Sequence, residues 1–331
     1  MSIAVPLYGF GASGGSPNKS TIIVTAPTGS TVTCKMGSTT KTATEKNGVW
    51  TFGGLDLGTW TITSTKGGDS ATQDVVITRL TVEYVTIVYR ITPEFTYTGD
   101  YEIVDDSDNP ISDFANWKNN WKIRFLTSGT LTFTKLNGWN GQLDVFLVGG
   151  GGAGGNGIWD SGYVQPDRRG GGAGAGYTTT KTGVSVTINT PYSINIGAGA
   201  AAPWTDPKEN GSAGGDTSAF SFTAKGGGAP QSGSGGNGGS GGGNEGHEGA
   251  TNGGGGTNAG AGQGTTTREF GESTGKLYAT GGSGVSKKNG QANTGDGGSG
   301  GKYSETSNGT APSGGSGGSG IAIIRNARGA A

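Results

Sequence analysis

Residues 142–157 read QLDVFLVGGGGAGGNG, an apolar strand that runs directly into a glycine tract. Of the 73 glycines in the 331 residues, 16 lie in residues 1–144 and 57 in residues 145–331. Glycine makes up roughly 7% of ordinary proteins, so the excess belongs to the second part of the chain. The chain therefore divides near Asp144 into two parts of different composition.

Two common glycine-rich structures do not explain the second part. Collagen requires glycine at every third position and proline at roughly 15–20%, whereas this chain has 11 prolines. A flexible linker consists mainly of glycine and serine, but here Trp, Tyr and Phe side chains interrupt the glycine. The run IAIIR at residues 321–325 also indicates a strand that closes a sheet opened earlier. The glycine is therefore expected to be ordered.

The glycine-rich second part of the chain contains ten glycine tracts, which we number 1 to 10 in chain order. They are residues 149–157, 170–176, 197–199, 211–215, 226–228, 233–243, 253–264, 281–284, 295–301 and 314–320. Stacked repeat units commonly carry variable loops on one face. The insertions between the tracts are therefore predicted to be loops at the ends of a bundle.

The first part of the chain has the pattern of a small antiparallel β-sandwich. Short runs rich in Thr, Val, Ile and Trp alternate with turn formers such as Asn47-Gly48. The predicted strands are residues 20–26, 31–36, 39–44, 49–52, 59–66, 72–77 and 80–91. The predicted core contains Trp50, Phe52, Leu55, Trp60 and Ile62. Pro93 marks the predicted boundary of this module.

Three short motifs relate this module to known sandwiches. They are the turn PTG at residues 27–29, the hairpin NGVW at 47–50 and the strand entry LGTW at 57–60. With them, residues 21–92 resemble the carboxypeptidase-regulatory-like or PEGA-like sandwiches of surface and virion proteins. The resemblance implies the fold and the role of a spacer, and it implies little else about function.

The second part resembles the glycine-rich domain of phage tail and adhesin proteins. Predicted strands at residues 95–97, 101–104, 121–126, 129–133 and 142–148 precede the glycine. The segments GGGAGAGYTTTKT, YSINIGAGA, GGDTSAF, AKGGG and GGSGGSGIAIIRNARG then follow in order. The likeness spans residues 95–328 and implies that the tracts form polyglycine II helices packed side by side.

Polyglycine II is physically consistent with the tracts. The helix has three residues per turn and no internal hydrogen bonds, so neighbouring helices must satisfy its backbone groups. The predicted fold class is therefore all-β, with an N-terminal antiparallel β-sandwich, a C-terminal bundle of strands and polyglycine II helices, and essentially no α-helix. The predicted domains are residues 1–19, 20–92 and 93–331.

The first predicted domain carries the motif VPLYGFG at residues 5–11. One interpretation is a frayed terminus. The other is an attachment segment, because the motif followed by glycine and serine looks like the start of many tail proteins from phages of Gram-positive bacteria. In that case the residues that bind other virion proteins are Val5, Pro6, Leu7, Tyr8 and Phe10.

Contacts with a receptor are predicted on the loops between tracts. Aromatic side chains flanked by hydrogen-bonding groups suit a host cell-surface glycan or protein, since they supply apolar area at low entropic cost. The candidates are Trp159, Asp160, Tyr163, Arg168, Arg169, Trp204, Lys208, Arg268, Phe270, Tyr278 and Tyr303. The alternative is that the aromatic residues only plug the ends of the bundle.

Catalytic, metal-binding and nucleotide-binding motifs are weak. Gly-x-Gly-x-x-Gly recurs by chance at this glycine content and lacks its strand and helix context. His247 has no evident catalytic or metal-binding partners, and the acidic group Asp105, Asp106 and Asp108 lacks the glycine and distal glutamate of a calcium loop. Cys34 is expected to be a small core residue. We predict no enzyme activity, cofactor or metal.

These observations predict a virion protein, a tail-fibre or tail-tip adhesin that is made in the host cytoplasm and binds the host surface. With 23 basic and 24 acidic residues, no charge excess favours nucleic acid, and no apolar run is long enough to span a membrane. We expect three chains to associate, although the sequence contains no heptad repeat. The alternatives are a structural head or tail decoration fibre, an ice-binding protein and, as an enzyme, a glycoside hydrolase.

Overall fold

The computed structural model describes residues 19–66, 69–87, 92–117, 119–137, 139–156, 170–203, 210–231, 233–255, 258–301 and 313–328. The chain forms two compact units. The first comprises Met1–Thr92 with Asn137–Trp139, and the second comprises Pro93–Leu136 with Asn140–Ala331. The residues of the predicted attachment segment, Val5, Pro6, Leu7, Tyr8 and Phe10, lie outside the described residues.

The first unit is a sandwich of two sheets. Its described strands are β1 (Ser20–Thr25), β2 (Thr31–Met36), β3 (Thr39–Thr42), β4 (Val49–Leu55), β5 (Gly58–Lys66), β6 (Asp69–Ile77) and β7 (Val82–Thr86). One sheet has the order β4-β1-β7 and the other β3-β2-β5-β6. The pairing is antiparallel except between β1 and β7, which are parallel.

Alternating side chains build the core of this sandwich. All five predicted core residues are at most 2% exposed, which confirms that prediction, and Cys34 is fully buried among them. The indole nitrogen of Trp60 donates a hydrogen bond to the Asp56 carbonyl at 2.9 Å. Asn47 and Gly48 both have positive φ, as a tight hairpin turn requires.

The second unit contains two five-stranded sheets. Its described strands are β8 (Glu94–Tyr97), β9 (Tyr101–Val104), β10 (Lys122–Phe125), β11 (Gly129–Lys135), β12 (Gln142–Val148), β13 (Thr178–Ser185), β14 (Pro191–Asn195), β15 (Thr217–Ala219), β16 (Phe222–Ala224) and β17 (Ile321–Asn326). The sheets have the orders β13-β12-β17-β10-β9 and β16-β15-β14-β11-β8. The C-terminal strand β17 lies between β12 and β10, so it closes a sheet opened about two hundred residues earlier.

Six of these strands continue directly into glycine tracts. Tracts 1, 3 and 5 leave β12, β14 and β16, and tracts 2, 4 and 10 return into β13, β15 and β17. The tracts therefore form a glycine lattice that extends the two sheets at one end.

Hydrogen bonds within the lattice repeat every three residues. Along tract 1, successive backbone N–H groups donate to tracts 4, 10 and 2, and the cycle then starts again. The acceptor carbonyls of residues 150 to 155 are, in order, those of Gly215, Gly318, Gly174, Ser212, Gly315 and Gly171, at 2.8–3.0 Å. Carbonyls of the same tract accept from Gly227 of tract 5, from Gly298 of tract 9 and from Ala200, the residue that follows tract 3. A period of three residues is the one expected for helices with three residues per turn, such as polyglycine II.

Close approach of backbones explains the need for glycine here. A Cβ atom added at Gly152 would lie 2.6 Å from the Gly228 carbonyl oxygen, and one at Gly171 would lie 2.5 Å from that of Ser234. Both distances are shorter than real Cβ contacts. Alanine occurs at buried positions that do have room, such as Ala153 and Ala173.

The structure confirms the all-β class. In the described part of the chain, the two helical elements are single 3-10 turns, Phe114–Asn116 and Glu269–Gly271. No helix among these residues is long and apolar enough to cross a membrane.

One tract and one insertion differ from the bundle expected from the sequence. Tract 6 is not one straight helix. Its first part, with Gly236 and Gly239, runs parallel to tract 2, whereas its second part, with Ser240 and Gly243, turns back and runs antiparallel to tract 2. Residues 285–294, predicted to be an end loop, instead lie along tract 10. Lys287, Asn289 and Asn293 each hydrogen-bond to residues 313–319 there.

Candidate functional site

The end of the lattice remote from the sheets, which we call the apex, gathers the flanks of several insertions. Gly170 donates to Gly301 at 2.9 Å, and the N–H of Gly314 donates to the side-chain oxygen of Asn156 at 3.0 Å. Asn156 is only 3% exposed. The residues that bound segments 157–169 and 302–312 are therefore held together by buried hydrogen bonds.

A third insertion, residues 204–209, is bounded at the same end. Ala200 donates to Gly151 at 2.9 Å, and Ala153 donates to Ser212 at 2.8 Å. Tract 1 fixes both flanks within a few residues of Asn156. The predicted contact residues Trp159, Asp160, Tyr163, Arg168, Arg169, Trp204, Lys208 and Tyr303 themselves lie outside the described residues.

His247 belongs to an apical turn of described residues. Its backbone N–H donates to Asn244 at 2.9 Å, and its carbonyl accepts from Gly284 at 2.8 Å. The side chain is exposed. Within the described ranges, no group of three or more His, Cys, Asp or Glu side chains is arranged to hold a metal ion.

Residues 265–280, which we call the strap, lie against the outer face of the β12–β17 sheet. Phe270 is 8% exposed and Tyr278 1% exposed. Their rings lie 5.8 and 5.5 Å from that of Phe146, in a cluster with Ile321 and Ile323. The expectation that Phe270 and Tyr278 project from an exposed loop is therefore wrong. They pack on the sheet because it presents an apolar surface there.

The third predicted contact residue on the strap, Arg268, is half-buried. Its guanidinium donates to the Gly275 carbonyl at 2.9 Å, and its backbone pairs with Leu277. Arg268 therefore closes the turn at the tip of the strap.

A buried ion cluster fastens the strap to the sheet. Glu269, 3% exposed, receives the Lys122 ammonium at 2.9 Å and the Arg124 guanidinium at 3.5 Å. The Tyr278 hydroxyl donates to the same carboxylate at 3.3 Å. Burial, with the Glu269 charge beside it, raises the pKa of Tyr278 above its usual range, so this hydroxyl stays protonated and remains a donor.

Arg325 joins the same cluster from β17. Its Nε donates to the Asp144 carboxylate at 3.0 Å and its Nη1 contacts Glu272 at 2.7 Å. The guanidinium lies 4.0 Å from the centre of the Phe270 ring, a cation–π contact. Asp144 and Arg325 are 1% and 8% exposed, so this pair is shielded from solvent.

The acidic loop at residues 105–109 takes part in this cluster through Asp108, which pairs with Lys122 and Arg124. Asp105 accepts the N–H groups of Ser107 and Asn109, each at 2.8 Å. Asp106 pairs with Asn120 and Arg328. Burial raises the pKa of Asp108, but hydrogen bonds from Arg124 and Lys122 outweigh it and hold that pKa below the usual value.

Sequence reasoning missed this cluster, although a signal was present. Lys122, Arg124, Asp144 and Arg325 are charged residues inside otherwise apolar strands. Buried charges require partners, so such positions predict ion pairs even when the partner on the strap cannot be named.

A cleft of about 400 Å³ opens above the cluster. Its floor contains the buried Lys122, Glu269 and Arg325. Its other lining residues are Asp106, Ser107, Asp108, Glu272, Thr274, Gly275, Lys276 and Arg328.

Comparison with known proteins identifies one family. Residues 126–331 match the model of a family described as a glycine-rich domain. This segment is well over half of the chain and contains all ten tracts. No curated protein matches the sequence significantly.

Proposed function

The chain belongs to the glycine-rich domain family, and from this premise we propose that it is a phage virion protein, a tail-fibre or tail-tip adhesin that binds the host cell surface. One observation carries the proposal. The lattice holds the flanks of segments 157–169, 204–209 and 302–312 together at its apex. Eight of the eleven predicted contact residues belong to these segments.

The lattice suits this role because it is built from backbone hydrogen bonds. Tract 1 alone donates to three neighbouring tracts and accepts from two others and from Ala200. Segments anchored on such a frame are fixed at both ends before they meet a partner. Binding then loses less conformational entropy than it would with a mobile scaffold. The proposed mechanism is binding without chemistry, and the proposed partner is a surface glycan or protein.

The rest of the chain fits the same role. The first unit, with its PEGA-like motifs, would act as a spacer. Residues 1–18, with Val5, Pro6, Leu7, Tyr8 and Phe10, would bind other virion proteins. The proposed location is thus the virion.

A structural decoration fibre is the second candidate. The burial of Phe270 and Tyr278 favours it, since these two residues are removed from the surface available to a receptor. Immunogold labelling of particles separates the two, because an adhesin is expected at the tail tip and a decoration protein over the head or along the tail.

Replacing the apical segments tests the adhesin directly. Residues 158–168, 204–209 and 303–311 are exchanged for glycine-serine segments of equal length, and binding of the purified full chain to host cells is measured. The matched control replaces residues 78–80, which are exposed and lie between β6 and β7 of the first unit. We expect the apical exchange to abolish binding and the control to retain it. Undiminished binding after the apical exchange would refute the proposal.

A further inference from the structure

The cleft beside the strap combines a buried charged floor with an exposed rim. Lys122, Glu269 and Arg325 on the floor are all at least nine-tenths buried. Glu272 and Lys276 on the rim are exposed. A volume of about 400 Å³ lies within the range of roughly 300–1,000 Å³ typical of small-molecule sites.

The charges of the lining balance. Four carboxylates, those of Asp106, Asp108, Glu269 and Glu272, face four cations, those of Lys122, Lys276, Arg325 and Arg328. No excess of one sign is available to attract an ion of the other. On the floor, a charged ligand would have to compete with the ion pairs that Lys122, Glu269 and Arg325 already form, so the floor favours a neutral ligand.

The floor also has unused hydrogen-bonding capacity of both kinds. Lys122 carries three donors and uses two of them, on Asp108 and Glu269. Among the described residues, the Glu269 Oε1 atom accepts only from Lys122, and the Nη2 atom of Arg325 has no partner. Donors and acceptors therefore stand side by side, held in place by the cluster beneath them.

We propose that this cleft binds a neutral pyranose sugar. Each sugar hydroxyl both donates and accepts, so one ring can use the free ammonium and guanidinium protons together with the free carboxylate lone pair. The site goes beyond the proposed adhesin function because it lies at the sheet end of the lattice, on the strap, and not at the apex.

Saturation-transfer NMR on the full chain tests the site. The probes are glucose, galactose, N-acetylglucosamine and rhamnose, with glucuronate and glucosamine as charged counterparts. Thr274, on the rim, is changed to Trp to fill the cleft. Its neighbour Ser273 is exposed but does not line the cleft, so Ser273→Trp is the matched control.

We expect at least one neutral sugar to bind, Thr274→Trp to weaken that binding by about tenfold or more, and Ser273→Trp to leave it within about twofold. Neither substitution disturbs a buried ion pair, so both variants are expected to fold. The proposal is overturned if no neutral sugar shows saturation transfer, if the charged counterparts bind more tightly, or if both variants lose binding equally. The chain with exchanged apical segments should retain this binding, which keeps the two tests independent.

Discussion

Adding one methyl group to tract 1 should weaken the glycine lattice at Gly152 but not at Gly155, which lies one helical turn further along the tract. Gly152 and Gly155 lie on the same side of the tract because the helix has three residues per turn. A Cβ at Gly152 would lie 2.6 Å from the Gly228 carbonyl oxygen and 3.1 Å from the Ala173 Cβ. At Gly155 the nearest atom would be Pro230 Cγ, at an ordinary 3.5 Å.

The magnitude follows from these distances. To reach ordinary contact at 3.4 Å, tract 5 must move by about 0.8 Å, which stretches the 2.8 Å bond from Gly227 to Gly150 beyond hydrogen-bonding range. One or two lost bonds cost about 1 kcal/mol each, and overpacking costs about 1–3 kcal/mol. Reduced freedom of the unfolded chain offsets about 0.4–1 kcal/mol of this. Gly152→Ala should therefore destabilise the second unit by about 1–4.5 kcal/mol.

Urea unfolding of the full chain measures this difference. Hydrogen exchange in peptides that cover residues 149–156 and 225–228 separates the second unit from the first. Gly155→Ala is the control and should be neutral, or stabilising by up to about 1 kcal/mol. If the two variants have the same stability, the close contact with the Gly228 carbonyl oxygen does not exclude a side chain at Gly152.

Two further predictions concern buried groups. Glu269→Gln should destabilise the second unit by up to about 3 kcal/mol, because Lys122 and Arg124 lose their buried carboxylate and keep only the half-buried Asp108. Glu94→Gln in the exposed pair with Lys135 should cost less than about 1 kcal/mol, and equal urea midpoints would contradict this. Burial raises the pKa of Cys34 from 9.0 to about 11. The stability that the neutral thiol contributes is therefore fully present below pH 9 and should be lost as the pH rises towards 11. In the Cys34→Ala variant, the unfolding midpoint should not fall over this pH range. If the variant and the original chain show the same pH dependence, another group causes the fall.

The local patterns of the sequence were sufficient for much of the fold. The predicted strand at residues 31–36 matches β2, and those at 101–104 and 142–148 match β9 and β12. Alternation of apolar and polar residues fixes which side of a strand is buried, so Trp60 and Ile62 could be placed in the core. Strands β13 to β16 were not predicted, since they are short or rich in exposed threonine.

The strap shows what local patterns cannot supply. Thr265 to Thr280 reads as a polar loop with two aromatic residues, and its sequence does not indicate the apolar sheet surface that buries Phe270 and Tyr278. Only the pairing of β12 with β17, across more than 170 residues, creates that surface. The partners of Glu269 likewise depend on tertiary structure.

The threefold repeat of the lattice bears on the timing of folding. Shifting a glycine helix along its neighbour by three residues restores nearly the same backbone contacts, so glycine alone scarcely distinguishes the native alignment from a slipped one. The distinction must come from the strands joined to the tracts and from rare side chains such as Asn156, which binds Gly314. The sheets would then have to form before the glycine helices align, with β17, the last of the described strands, completing the sheet from which they extend.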